Sequence, residues 1–256
     1  MQTYTFTVDD NVRFLKELTL DSYQNLFDHP YLAMYKRLHA RFGLKVQLNL
    51  FYSMEDFTLA QMTDAFKAQW RENSHWLKLS FHSYLENEYP YATSDYDEVA
   101  AHCALVHDQI LRFAGVESLA KTTTLHYCAA TEEGVRALHD HGVEGLPGLF
   151  GSEEEPTCSY SLPEEICAKI RSGTVCKKDG MAFAPIDVVL NCFSKEENLQ
   201  KVQNLLHRDH LWLMIHEQYF YEDYFMYQPD FEEKLTAVFS LLAERTFESK
   251  FFEELL

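Results

Sequence analysis

Glycine and proline are scarce in this chain, 9 and 7 of 256 residues. No Gly-x-Gly-x-x-Gly follows the first strand-like segment, and no Gly-x-x-x-x-Gly-Lys occurs, so the usual markers of nucleotide-phosphate cradles are missing. Basic residues are also few: 22 Lys and Arg stand against 40 Asp and Glu, a formal charge of −18. A surface of that sign repels the phosphates of nucleic acid and of anionic membranes. No apolar run is long enough to cross a bilayer, and the opening residues form neither a basic nor an apolar leader, which predicts a cytoplasmic chain. The six cysteines make no C-x-x-C pair, and a chain of this length needs no staples to hold a core, so reduced thiols are expected.

What is present is enough apolar material for one sizeable core, 46% hydrophobic and 14% aromatic, and an alternation of strand-like and helix-like segments. Strands are predicted near Tyr4, Lys45, Trp76, Thr122, Val143, Ile186 and Leu211. Helices are predicted between them: one from Pro30 to Gly43, one over Leu59 to Glu72, a long one capped near Ser94, one opened by Thr131, one behind the capping box Ser194-x-x-Glu197, and a last one from Pro229 and Asp230. Strands alternating with helices demand a parallel sheet, either closed as a barrel or open and doubly wound, and periodicity alone leaves both in play. The stretch from about 151 to 185 breaks the rhythm and reads as an insertion. Because it follows the fifth strand, it is expected on the face where strands end, as a lid.

In such folds chemistry gathers just after the strands. Strand one ends in Asp9-Asp10, strand three in His82-Ser83, strand four in His126-Tyr127 and strand seven in His216-Glu217. Any one of these could be a loop cap or a satisfied polar group. Four strand ends of seven bearing Asp or His point instead to a metal-centred hydrolytic site, because a hard cation needs converging oxygens and imidazoles with a base beside them. Aromatics crowd the segment after His216, and they serve either as packing or as a stacking surface for sugar rings.

These residues resemble the polysaccharide deacetylase (NodB-homology) family. Thr5-Phe6-Thr7-Val8-Asp9-Asp10-Asn11 is similar to its first motif, Phe81-His82-Ser83-x-x-Glu86 to its second, and Met214-Ile215-His216-Glu217 to its last. The passage Gly43-Leu44-Lys45-Val46-Gln47-Leu48 lies where the family runs from helix into strand. The likeness implies an α/β fold, a distorted seven-stranded parallel β/α barrel spanning residues 1–256 as a single domain. Departures are plain: Asn11 stands where glycine is usual, Glu86 replaces a second histidine, Thr124-Leu125-His126-Tyr127 replaces an arginine-and-proline segment, and no Asp-x-x-x-Trp match is found.

Carried over by position, the resemblance implies Asp9 as general base, His216 as general acid, and Asp10, His82 and Glu86 as ligands of a divalent metal ion. Zinc is the first expectation, with manganese, iron or nickel as the others. His126 rivals Glu86 as third ligand or, with Tyr127, contacts the substrate. The reaction implied is removal of an acyl group from an N- or O-acylated sugar or related amide, cleaving a C–N bond other than a peptide bond in the amide case. The partner is then a small molecule or oligosaccharide, not nucleic acid or membrane. Two other readings compete: a catalytically silent barrel that binds a glycan or protein, and a metal-dependent isomerase or lyase using Asp9 to abstract a proton.

Overall fold

The computed structural model describes residues 2–86, 91–151 and 160–256. Its elements are β1 (Thr3–Asn11), α1 (Arg13–Leu20), α2 (Pro30–Phe42), β2 (Val46–Met54), β3 (Phe57–Thr58), α3 (Lys67–Asn73), β4 (Leu77–Leu85), α4 (Tyr96–Phe113), α5 (Glu132–Asp140), β5 (Gly145–Gly148), α6 (Glu164–Arg171), β6 (Cys176–Lys178), β7 (Met181–Pro185), β8 (Val188–Val189), α7 (Lys195–Leu205), β9 (His210–His216), α8 (Phe231–Glu244) and β10 (Glu248–Ser249). The fold is mixed α/β around a mostly parallel sheet.

β1 is central. It pairs in parallel with β2 on one side and β9 on the other, and every residue from Tyr4 to Asn11 is buried. β4 continues the parallel sheet beyond β2, and β8 continues it beyond β9. Two additions are short: β10 lies parallel beside the start of β1, and β3 turns back antiparallel on β2. A second sheet has the order β5-β7-β6. Isolated parallel bridges Leu79↔Leu119 and Thr122↔Gly145 carry pairing from β4 towards β5. On the far side the Ile186 amide donates to the Gly148 carbonyl (2.8 Å) and the Asp187 amide to that of Trp212 (2.9 Å), joining the second sheet to β9.

Local chemistry explains most of the helices. Gly43 ends α2 at φ +66, a conformation that costs glycine little. The Thr131 hydroxyl caps α5, and Ser194 with Glu197 forms the expected capping box on α7. α4 is capped by Asp95 rather than Ser94, whose carbonyl instead accepts from the Thr131 hydroxyl. In place of one helix over Leu59–Glu72 there is a short 3-10 turn at Leu59–Gln61 and then α3.

Larger differences concern α1 and the fourth predicted strand. α1 has no side-chain cap of its own; the buried Glu217 carboxylate, arriving from the end of β9, accepts from the amides of Val12 (2.7 Å), Arg13 (3.0 Å) and Phe14 (2.8 Å). Thr122–Tyr127 forms no strand. Thr122, Thr123 and Thr124 are buried, but beyond the single bridge they turn their polar groups to neighbouring strands, with the Thr122 hydroxyl on Gln47 (3.0 Å) and that of Thr123 on the Phe81 carbonyl. The stretch read as an insertion contributes α6 and the β6–β7 hairpin, and β7 is a sheet strand paired with β5. None of the five described cysteines is in a disulfide. Among the described residues no helix is long and apolar enough to cross a membrane.

Candidate active site

Neighbouring side chains on a regular strand point to opposite faces, so Asp9 and Asp10 could not both serve one site from ordinary β geometry. The backbone solves this with a bulge. Val8 is registered with Leu48 and Asn11 with Leu50, so Asp9 and Asp10 together oppose Asn49, and Asp10 takes φ +62. The opposite edge of β2 has a second irregularity: Leu50 pairs with Phe81 and Phe51 with Ser83, leaving His82 as the extra residue. After Leu125 the chain makes a 3-10 turn in which Tyr127 and Cys128 both have positive φ, +58 and +53, which brings His126 in beside the other two.

The result is a convergence of donors. Asp10 Oδ1 lies 3.0 Å from His82 Nε2 and 3.2 Å from His126 Nδ1, and those two ring nitrogens are 3.2 Å apart. Among the described residues Asp10, His82 and His126 form the one group of three whose ligand atoms all fall within 4.8 Å of each other. His82 Nδ1 donates to the Thr124 carbonyl at 2.5 Å, so in the neutral ring Nε2 is a bare lone pair facing a carboxylate oxygen. Such an arrangement calls for a shared cation or a proton. Burial works against a charged His82, but Asp9 and the bond to Asp10 outweigh it and raise its pKa. Burial likewise opposes a charged Asp10, yet His126 and His82 hold it well below the usual carboxylate range. The other Asp10 oxygen accepts from Gln218 Nε2 (2.7 Å). The donor set of one carboxylate and two imidazoles suits a divalent transition metal.

Asp9 lies beside this group, buried, and registered across the β1–β9 pair with His216. Asn49 Nδ2 donates to it at 2.7 Å. Burial raises the Asp9 pKa against the pull of His82 and His216, as a proton acceptor requires. His216 is held by Asn191, whose Oδ1 accepts from both the His216 amide (3.2 Å) and Nδ1 (2.8 Å), leaving Nε2 as the free ring nitrogen. Beneath Asp9 a polar column fills the sheet interior: Gln47 Nε2 donates to Asn49 Oδ1 (2.8 Å) and to the Thr122 carbonyl (2.8 Å), which also accepts from Ser80 (2.8 Å).

All the residues picked from sequence, Asp9, Asp10, His82, Glu86, His126, Tyr127 and His216, line one cavity of about 570 Å³. Glu86 is half-buried in its wall, and burial followed by the nearby Asp10 and Glu55 raises its pKa. The compact donor group has His126 where the sequence reading put Glu86. The described residues of 160–185 contribute nothing to this cavity's lining. Sequence reasoning missed Asn49, Asn191 and Gln218. The first had a signal: polar Gln47 and Asn49 alternate within a strand whose parallel pairing on both edges would otherwise favour continuous apolar residues.

No family model matches the chain, and no curated protein matches it. Solved structures do. A family 4 acetyl xylan esterase from Clostridium thermocellum, in complex with a cobalt ion, is 14% identical with a TM-score of 0.51, covering 99% of this chain and 90% of its own. The Xyl-CE4 domain of a multidomain xylanase from the hindgut metagenome of Trinervitermes trinervoides is 12% identical with a TM-score of 0.53, covering 99% and 89%. A 4-alpha-glucanotransferase from Thermococcus litoralis is 13% identical with a TM-score of 0.61, and there the similarity covers 99% of this chain but 40% of that one. At these identities the likeness is one of fold, a mixed α/β arrangement around a mostly parallel sheet.

Proposed function

We propose that this chain is a metal-dependent hydrolase of the polysaccharide deacetylase type, built on a distorted seven-stranded β/α barrel and removing an acyl group from an acylated sugar or related amide. One observation carries the proposal: the convergence of Asp10, His82 and His126 beside a buried Asp9 and an Asn191-held His216 in a single cavity. Asp10, His82 and His126 would hold a divalent ion, zinc first, with manganese, iron and nickel as alternatives. An ion held there would supply Lewis acidity towards an acyl carbonyl and would make water a better acid.

The remaining steps belong to the chain's own groups. Asp9 takes a proton from the attacking water, its oxygen steadied by Asn49. His216, its Nδ1 committed to Asn191, protonates the departing amine or alcohol through Nε2. Gln218 and the Thr124 carbonyl fix the orientation of Asp10 and His82. The test is metal analysis of purified protein paired with acetate release from acetylated chito- and xylo-oligosaccharides. A protein that takes up no metal from zinc, manganese, iron, nickel or cobalt, or that releases no acetate when loaded, refutes the reading.

A further inference from the structure

The charge of the cavity constrains what enters it, an argument that rests on the placement of the active site above. Three carboxylates, Asp9, Asp10 and Glu86, belong to its lining, and no lysine or arginine does. The residues outside the described set cannot supply one: Asn87-Glu88-Tyr89-Pro90 and the stretch from Ser152 to Ser159 contain four glutamates and no basic residue. Anion-binding sites are built from arginine, lysine or rows of backbone amides at helix N-termini. The first amides of α1, the helix that follows β1, are already taken by Glu217.

Glu86 is the part of this charge that the proposed chemistry does not use. It is half-buried, and among the described residues no cation or hydrogen-bond donor is paired with it; its charged neighbours are Asp10 and Glu55, both of its own sign. A divalent ion held by Asp10 and two neutral imidazoles would leave a surplus positive charge, and Asp9 and Glu86 together still outweigh it, so the lining stays acidic with Glu86 as the carboxylate the chemistry leaves uncommitted. Tyr127, Tyr219 and Tyr224 line the same cavity, the last two packed edge to face at 5.2 Å. Aromatic faces beside a carboxylate receive an ammonium group or the apolar face of a sugar ring, and they offer nothing to a carboxylate or phosphate. We infer that the ligand is an uncharged or cationic sugar-sized molecule, and that Glu86 is the specificity-determining residue, rejecting anionic ligands and receiving the ammonium or hydroxyl group of those accepted.

Glucuronamide and glucuronic acid differ by one amide-for-carboxylate exchange, and glucosamine supplies the cation. Binding of all three at neutral pH is measured by calorimetry or saturation-transfer NMR, on chelator-stripped protein and again with manganese added. The wild-type protein is expected to bind glucuronic acid about tenfold or more weakly than glucuronamide. Glu86→Gln should weaken glucosamine by about tenfold while changing glucuronamide by less than about threefold, and Glu86→Lys should make glucuronic acid the preferred ligand of the pair. Glucuronic acid binding as tightly as its amide overturns the inference. So does a glucosamine-to-glucuronamide ratio unchanged by Glu86→Gln, or the absence of binding by both glucosamine and glucuronamide. Because no turnover is required, a failed hydrolase reading shows in metal uptake and acetate release, whereas failure of this inference shows in the order of charge preference.

Discussion

Asp10 and His82, whose side chains meet at 3.0 Å, both lie at β-bulges, on the two strands that flank β2. Each bulge re-aims one side chain, and together they gather side chains that regular pleating would have turned to opposite faces. The cost is local: Asp10 holds φ +62, in the left-handed region that favours glycine. Asp10→Gly should therefore be more stable than Asp10→Ala by about 1 kcal/mol, since only alanine keeps the unfavourable Cβ. Both variants should lose metal affinity by about 100-fold or more. Calorimetric unfolding and metal titration of the pair check the two statements separately.

The third ligand is decided by comparing two conservative changes. His126→Gln removes a ring nitrogen that lies 3.2 Å from both of its neighbours, and metal affinity should fall by about 30-fold or more. Glu86→Gln removes a charge from the wall and should change affinity by less than about fivefold. Competition titrations against a coloured chelator read both, and the opposite order would return Glu86 to the ligand set.

Asp9→Asn keeps the shape and the neighbours of the residue but cannot accept a proton. The expected result is retained metal binding and a kcat lowered by about 10³-fold. Asn49→Leu leaves Asp9 without its 2.7 Å donor; the expected loss is smaller, about tenfold to 100-fold in kcat with KM little changed, because Asp9 is still present but less well held. Steady-state kinetics on an acetylated substrate distinguish these outcomes.

Asp9, Asp10, His82 and His216 could be read from sequence because each follows a largely apolar run whose end the pattern marks, and in a parallel fold those ends converge. The helix α1 could not, since its N-terminal amides are capped by Glu217, some two hundred residues away in the chain, and no local residue announces the start. Thr122–Tyr127 misled for the reverse reason: three β-branched threonines have strand propensity, but here their hydroxyls and carbonyls serve Gln47, Phe81 and His82 rather than a ladder. The choice between Glu86 and His126 was also hidden. Glu86 has the i, i+4 spacing from His82, but that spacing brings side chains together only on a helix, and β4 runs on as strand to Leu85.

Glu217 offers a test of that long-range cap. Its two oxygens accept three backbone amides and the Tyr221 hydroxyl (3.1 Å). In Glu217→Gln one acceptor oxygen becomes an amide nitrogen that faces a backbone donor. The loss should be about 1–3 kcal/mol of unfolding free energy, concentrated at α1 and visible as faster amide exchange at Val12–Phe14.

Stability should also fall on mild acidification, for reasons found away from Asp10, His82 and His126. His107 is buried in α4, and His210 is held between the hydroxyls of Thr3 (2.7 Å) and Thr5 (3.1 Å) with its ring packed against Trp212 (centroids 4.3 Å apart); burial lowers both to about 4. An unfolded chain protonates histidine near 6.5. Between pH 6.5 and 4 the unfolded state therefore binds protons that the folded state refuses, and stability present above pH 6.5 is lost as pH falls through that window, by about 2 kcal/mol for each residue. Glu217 runs the other way, because burial pushes it up to about 7 against its amide donors. The folded state then holds its proton more tightly than the unfolded one, and stability is gained as pH falls from 7 towards the ordinary carboxylate range. The two contributions separate by substitution. His210→Gln retains a side chain able to bond the two threonines but removes the titration, so urea midpoints measured from pH 7 to pH 4 should decline less steeply than in the wild type, while Glu217→Gln should make the decline steeper. An unchanged slope in His210→Gln would mean that this histidine is protonated in the folded state, with Thr3 and Thr5 both accepting from it.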